Sequence, residues 1–198
     1  MKKSILLLVA LVATLQSSLF AQSITDDYSR FYAGLSLVFA DDVDGVADKG
    51  ANVGWLYAFN PTRGRVPLFL QAGGEVIYER DSEDDVTEDL VCLAVPLNVS
   101  YKLGNDRFNV EPFAGVNFRF NVYGHGNSTR NGVFDLNYFD MWPSDLNARR
   151  FQFGANLGLN VNYLHASLGL RVNPDFMDYF KFTRSKTRRV LITLGYSF

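Results

Sequence analysis

The sequence predicts an all-β chain folded as an eight-stranded antiparallel up-and-down transmembrane β-barrel, and three observations carry that expectation. The first is strict alternation. In FQFGANLGLNVNY, residues 151–163, Phe151, Phe153, Ala155, Leu157, Leu159, Val161 and Tyr163 share one parity. Gln152, Gly154, Asn156, Gly158, Asn160 and Asn162 share the other. A period of two puts the sets on opposite faces of a strand. The polar face is small and uncharged, which suits a narrow interior better than bulk water. The second observation is that eight such runs occur, most of them long enough to cross a bilayer when tilted, which takes roughly 9–11 residues. The third is that short and long connectors alternate between them, the pattern of periplasmic turns and extracellular loops.

Residues 1–21 come first and are read apart from the barrel. A basic start, MKKS, precedes the apolar run ILLLVALVATL and then QSSLFA, the layout of a secretory signal peptide cleaved near Ala21. The run is too short to span a bilayer as a helix. No cysteine stands at the junction to mark a lipoprotein. Losing Lys2 and Lys3 takes 19 basic residues to 17, against 21 acidic, so the barrel domain expected over 22–198 carries a net charge of −4. That balance gives no sign of nucleic-acid binding. One cysteine, Cys92, excludes an internal disulfide. No later apolar run approaches twenty residues, so only a closed barrel could carry the mature chain across a membrane.

The expected strands are 30–40, 51–60, 67–80, 90–103, 107–122, 149–163, 164–173 and 187–198. In the fifth, Phe108, Val110, Pro112, Ala114, Val116, Phe118 and Phe120 oppose Asn109, Glu111, Phe113, Gly115, Asn117, Arg119 and Asn121. In the seventh, Leu164, Ala166, Leu168, Leu170 and Val172 oppose His165, Ser167, Gly169, Arg171 and Asn173. In the last, Val190, Ile192, Leu194, Tyr196 and Phe198 oppose Leu191, Thr193, Gly195 and Ser197. The short connectors are PTRGRV, GNDR and almost nothing at Tyr163–Leu164. The long ones are DDVDGVADKG, DSEDDVTED, residues 123–148 and PDFMDYFKFTRSK. A soluble sandwich or a lipocalin-like barrel could also alternate, but neither accounts for the connector lengths.

LAVPLNVSYKLG, EPFAGVNF and the terminal LITLGYSF resemble the small outer-membrane barrels grouped as the porin family or as OmpA/OmpX-like proteins. The resemblance covers nearly all of the mature chain and implies an address in the bacterial outer membrane, among its lipid and lipopolysaccharide. It also implies that Tyr196 and Phe198 form the C-terminal signal read by the barrel-assembly machinery. Because the sequence stops at the last strand, the peptidoglycan-binding domain of OmpA is not carried over.

Parity places Glu75, Glu111, Arg119 and Arg171 in the lumen. Charges there need partners, and Glu75 with Arg119 or Arg171 is an expected pair. The network either locks the barrel or gates it to small ions. Asp41, Asp42, Asp44 and Asp48 crowd the first loop, and Asp81, Glu83, Asp84, Asp85, Glu88 and Asp89 the second. They read as a solvated anionic surface; DDVDGVAD lacks the closing Glu of a calcium loop, so no metal site is assigned. Lys181, Arg184, Lys186, Arg188 and Arg189 make the fourth loop basic, suited either to lipopolysaccharide phosphates or to charge balance. The third loop, 123–148, carries Phe134, Leu136, Tyr138, Phe139, Met141 and Trp142, either a surface for a partner or packing above the bilayer. His125 has Ser128 three residues on but no marked acid, so no catalytic residue, cofactor or enzyme activity is assigned. His165 is expected in the lumen near the periplasmic end, and Cys92 inside as a small filler. The sequence thus points to a structural or surface-interaction protein of the envelope, with a passive channel for small solutes as the alternative.

Overall fold

The structure is a computed structural model. It describes residues 24–40, 48–83, 86–128, 134–140, 147–179 and 186–198, with the backbone alone for 82–83, 86, 128 and 134–136. The leader 1–21 and Asp41, Asp42, Asp44, Asp84, Asp85, Met141, Trp142, Lys181 and Arg184 lie outside the described residues. Ten strands follow one another: β1 Tyr28–Ala40, β2 Asp48–Phe59, β3 Leu68–Glu83, β4 Val86–Tyr101, β5 Leu103–Gly104, β6 Phe108–Ser128, β7 Phe134–Asn137, β8 Phe151–Tyr163, β9 Ala166–Pro174 and β10 Thr187–Ser197.

Eight of these are the staves of a closed barrel. Antiparallel pairing runs β1–β2–β3–β4–β6–β8–β9–β10 and returns from β10 to β1. β5 prolongs β4 beyond Lys102 along β6, and β7 folds back on the outer end of β6. The ring closes through the chain end: Ser29 N–H donates to Phe198 O and Phe198 N–H to Ser29 O, both at 2.9 Å. Phe31 stacks on Phe198 with ring centroids 5.7 Å apart.

The parity of 151–163 holds along the whole of β8. Gln152, Asn156, Asn160 and Asn162 are buried inside, while Phe151, Leu157, Leu159, Val161 and Tyr163 are exposed outside. The glycines of the inner face make room. A Cβ on Gly158 would lie 2.4 Å from the ring of Phe113, which parity turns inward on β6. The outer face is a belt of exposed Val, Leu and Ile, with aromatic residues toward both ends of the strands: Tyr57, Phe59, Tyr101, Phe108 and Tyr163 at one, Tyr78, Phe120, Tyr123 and Phe151 at the other. An apolar band between aromatic girdles is what a transmembrane barrel presents to lipid.

The second long connector is not a loop. β3 and β4 stay paired out to Glu83 opposite Val86, so most of DSEDDVTED is strand. β6 likewise stays paired with β4 out to Ser128. The reason is register rather than composition: charged residues on an edge that leaves the bilayer cost nothing, and the ladder continues above it. At Val122 a bulge interrupts β6, since Val91 faces Tyr123 while Cys92 faces Asn121. The extra residue inverts the parity beyond it. Above the bulge Gly124 and Gly126 are buried and Tyr123 faces out.

Candidate functional site: a cross-braced lumen

Among the described residues, five buried ion pairs between four arginines and four carboxylates occupy the barrel interior. Arg30 Nη2 lies 2.8 Å from Glu111, and Arg171 Nη2 is paired with Glu75. Arg119 Nη2 lies 2.7 Å from Asp175 Oδ2. Arg189 meets Glu79 through Nε at 2.6 Å and Nη2 at 2.9 Å, and holds Asp175 Oδ2 at 3.0 Å through Nη1. In the eight-stave ring, β1 and β6 stand opposite one another, as do β3 and β9. The Arg30–Glu111 and Arg171–Glu75 pairs therefore brace the barrel across its diameter. The bidentate Arg189–Glu79 fork has the geometry of the stronger kind of ion pair.

Neutral groups complete the network. Glu111 also accepts hydrogen bonds from Tyr28 Oη, from Gln71 Nε2 at 2.7 Å, from Ser100 Oγ at 2.8 Å and from Asn162 Nδ2 at 3.3 Å. At the same end Lys102 Nζ sits 3.9 Å from the centre of the Tyr28 ring and 4.8 Å from that of Phe69, two cation–π contacts. Asn156 links Asn98 at 2.7 Å to Asn173 at 2.8 Å. The space left midway is a cavity of about 30 Å³ beside Arg30, Tyr32 and Arg171, room for a water or two.

Toward the outer mouth the packing among the described residues is apolar instead. Ile77, Leu90, Cys92 and Ala94 on the inner face form an apolar cluster with Phe139 and Ala148 of the third connector, and Tyr138 and Tyr179 pack against it. Ala148 N–H donates to Tyr138 O at 2.9 Å, tying the two sides of that connector together. Burial first, and then the Glu88 carboxylate, push the Tyr138 hydroxyl well above the usual phenol range.

All four lumen charges expected from parity, Glu75, Glu111, Arg119 and Arg171, are inside and buried. Glu75 takes Arg171, one of its two expected partners. Four members of the network were not foreseen: Arg30, Glu79, Asp175 and Arg189. Arg189 is a correction. Expected among the phosphate-binding residues of the fourth loop, it is 1% exposed and engaged with Glu79 and Asp175, because its parity on β10 is that of Leu191 and not that of Val190. Lys186 and Arg188 stay exposed at the rim, as does Arg150, whose guanidinium lies 4.7 Å from the centre of the Phe139 ring. Cys92 is inside, as expected. His165 is not a lumen residue: it sits in the two-residue turn between β8 and β9, stacked on the outward Tyr196 and bonded to Ser197 O at 2.8 Å. His125 faces out above the bulge, its ring stacked on Tyr123. Its register partner Asp89 is engaged by Tyr78 Oη and Arg80. Among the described residues no group of three His, Cys, Asp or Glu has the arrangement of a metal site.

Among solved structures the barrel is similar to Ail, the attachment invasion locus protein of Yersinia pestis, solved with the heparin analogue sucrose octasulfate. The TM-score is 0.54 and the identity 12%, over 87% of this chain and 99% of that one. It is also similar to Neisserial surface protein A, at 0.47 and 12% over 87% and 97%. A major outer membrane protein from Thermus thermophilus gives 0.48 and 15% over 86% and 99%. No protein-family model and no curated protein matches the sequence. A closed ring of eight antiparallel staves, an apolar belt between aromatic girdles and the likeness to Ail together give the chain the fold of the small eight-stranded outer-membrane β-barrels.

Proposed function

We propose that the protein is a closed scaffold of the bacterial outer membrane that works through its extracellular face and not as a conduit. The observation that carries this reading is the set of five buried ion pairs described in the lumen, two of them across its full diameter. A solute would have to part each pair in turn, and parting a buried pair leaves uncompensated charge. In this reading residues 1–21 export the chain, and Tyr196 and Phe198, at the seam with β1, present it to the barrel-assembly machinery. The rim above the belt meets lipopolysaccharide through Lys186 and Arg188, with Arg184 in the same loop. The third connector, 123–148, holds whatever surface a partner touches, although Phe139 is buried against Ile77, Leu90 and Cys92.

The test is conductance of the refolded protein in planar bilayers, after heat-modifiable gel mobility has confirmed the barrel. A folded protein without discrete steps is expected. Reproducible steps in the unaltered protein would overturn the closed-scaffold reading in favour of a channel. Arg119→Ala is also expected to stay silent, because Arg189 and Thr187 still hold Asp175. At the rim, the double substitution Lys186→Glu and Arg188→Glu is expected to weaken binding to lipopolysaccharide vesicles about fivefold at low salt, equivalent to about 1 kcal/mol for exposed charge contacts. The difference should shrink at high salt. Unchanged cosedimentation at low salt would remove these two residues from the lipid contact.

A further inference from the structure

The lipid-facing wall is not uniformly filled. On its outer side, toward the periplasmic ends of the strands, lies an apolar recess of about 460 Å³. Register defines it. Tyr57 and Phe59 of β2 stand on one side, Leu97 and Val99 of β4 on the other, and Ala72 of β3 lies between them. The next outward residue on β3 is Gly74, flanked by Trp55. A Cβ built on Gly74 would meet no atom within 4 Å. Packing does not require glycine at this position, in contrast to Gly158. Its effect is to leave open wall above Ala72, beside Trp55.

We infer that this recess seats one acyl chain of an anionic phospholipid in the periplasmic leaflet, with Arg63 and Arg65 of the β2–β3 turn taking the headgroup. The inference rests on the membrane reading above. An apolar recess open to the side of a membrane barrel is filled by hydrocarbon, and its volume falls within the range of ligand-sized sites. Charge selects the headgroup. Residues 60–67, NPTRGRVP, carry two exposed arginines and no carboxylate of their own, and Asp27, the carboxylate bonded to the turn, accepts from Asn60 N–H at 2.6 Å and from the Tyr57 phenol. The turn is held firmly: the Asn60 side chain donates to Thr25 O at 2.7 Å and Val66 O at 2.9 Å and accepts from Thr62 N–H at 2.9 Å. Asp27 fixes the Tyr57 side through the phenol at 3.1 Å. Cations at the end of an apolar seat match a phosphate above an acyl chain. A second copy fits less well, because a two-fold pair sharing this face would bring the two arginine turns together at the same level.

The experiment uses Trp55 as the reporter, in the full barrel carrying Trp142→Phe. The protein is refolded into phosphatidylcholine vesicles containing a minor fraction of either phosphatidylglycerol or phosphatidylcholine with brominated acyl chains. Brominated phosphatidylglycerol is expected to quench Trp55 with about fivefold higher relative affinity, the size of effect juxtamembrane arginines produce. Arg63→Gln with Arg65→Gln should abolish the preference and leave quenching by phosphatidylcholine intact. Gly74→Leu should reduce quenching by both lipids; Gly74→Ala, a smaller filling, should do so in part and serves if the leucine variant does not fold. Equal quenching by the two lipids in the parent would overturn the headgroup assignment, and unchanged quenching in both Gly74 variants would overturn the seat. A cross-linkable dimer that shields Trp55 from both lipids would replace the lipid by a second copy. No quenching by any brominated lipid would instead mean that the barrel had not inserted, which defeats the membrane reading itself.

Discussion

Glu111→Leu is expected to destabilise the barrel by about 3–5 kcal/mol, the cost of breaking a buried pair by removing one partner. Glu111 is wholly buried and gathers five donors: Tyr28, Arg30, Gln71, Ser100 and Asn162. Leucine satisfies none of them. Arg30 would keep Ser197 Oγ and Asn162 Oδ1, each at 3.0 Å, but its charge would have no counterpart. Lys102, already leaning on the Tyr28 and Phe69 rings, adds to the stranded positive charge. Glu111→Gln keeps the shape and one acceptor oxygen, so it should cost less than the leucine variant while still losing the Coulombic part. The midpoint of urea unfolding in vesicles, read by tryptophan fluorescence, measures both. A midpoint for Glu111→Leu within error of the parent would mean that the network does not hold this end of the barrel together.

The architecture was largely legible in the sequence because a barrel repeats one rule many times. Side-chain period, strand length and the limited room of the lumen all act on each stave, so FQFGANLGLNVNY alone announces an inside and an outside. The site was legible only where parity was trusted. Glu75, Glu111, Arg119 and Arg171 were found because each lies mid-strand between apolar neighbours of the opposite parity. Glu79 shares the parity of Glu75 on the same strand, and Arg30 that of Tyr32, so both were available to the same rule. Arg189 carried the inward parity too, but its neighbours Arg188 and Lys186 made it look like the end of a basic loop. Asp175 shares the inward parity of Arg171 and Asn173, but Pro174 made it read as the start of the fourth connector. It follows Pro174 just beyond β9 and is held inward by Thr187 at the start of the adjacent β10. The strands above the membrane were missed for a different reason. Acidic composition suggests a loop, yet a ladder already formed below extends cheaply, and the bulge at Val122 resets parity with no local signal.

The Glu75–Arg171 brace separates what buried charge does for stability from what it does for specificity. Glu75→Leu alone should cost about 3–5 kcal/mol, since it leaves Arg171 charged and unpaired in the lumen. The double substitution Glu75→Leu with Arg171→Met should recover most of that loss or all of it, because two apolar side chains of similar bulk escape the desolvation of both ions. Glu75 Oε2 and Arg171 Nε are already buried without a hydrogen-bond partner, so the native pair is only partly compensated. If the double variant is instead as unstable as the single ones combined, the brace is a net stabiliser and the argument fails. If it is stable, the charges are retained for another reason, which register supplies. A slip of one residue in β3 would turn Glu75 and Glu79 toward lipid, and a slip in β9 would turn Arg171 there. Arginine facing the bilayer midplane costs about 2–4 kcal/mol each in such barrels. Lumen charge therefore penalises every wrong register during assembly. The double variant is expected to keep the parent's unfolding midpoint while giving a lower fraction of heat-modifiable barrel on refolding, and the ratio of the two gel bands measures that difference directly.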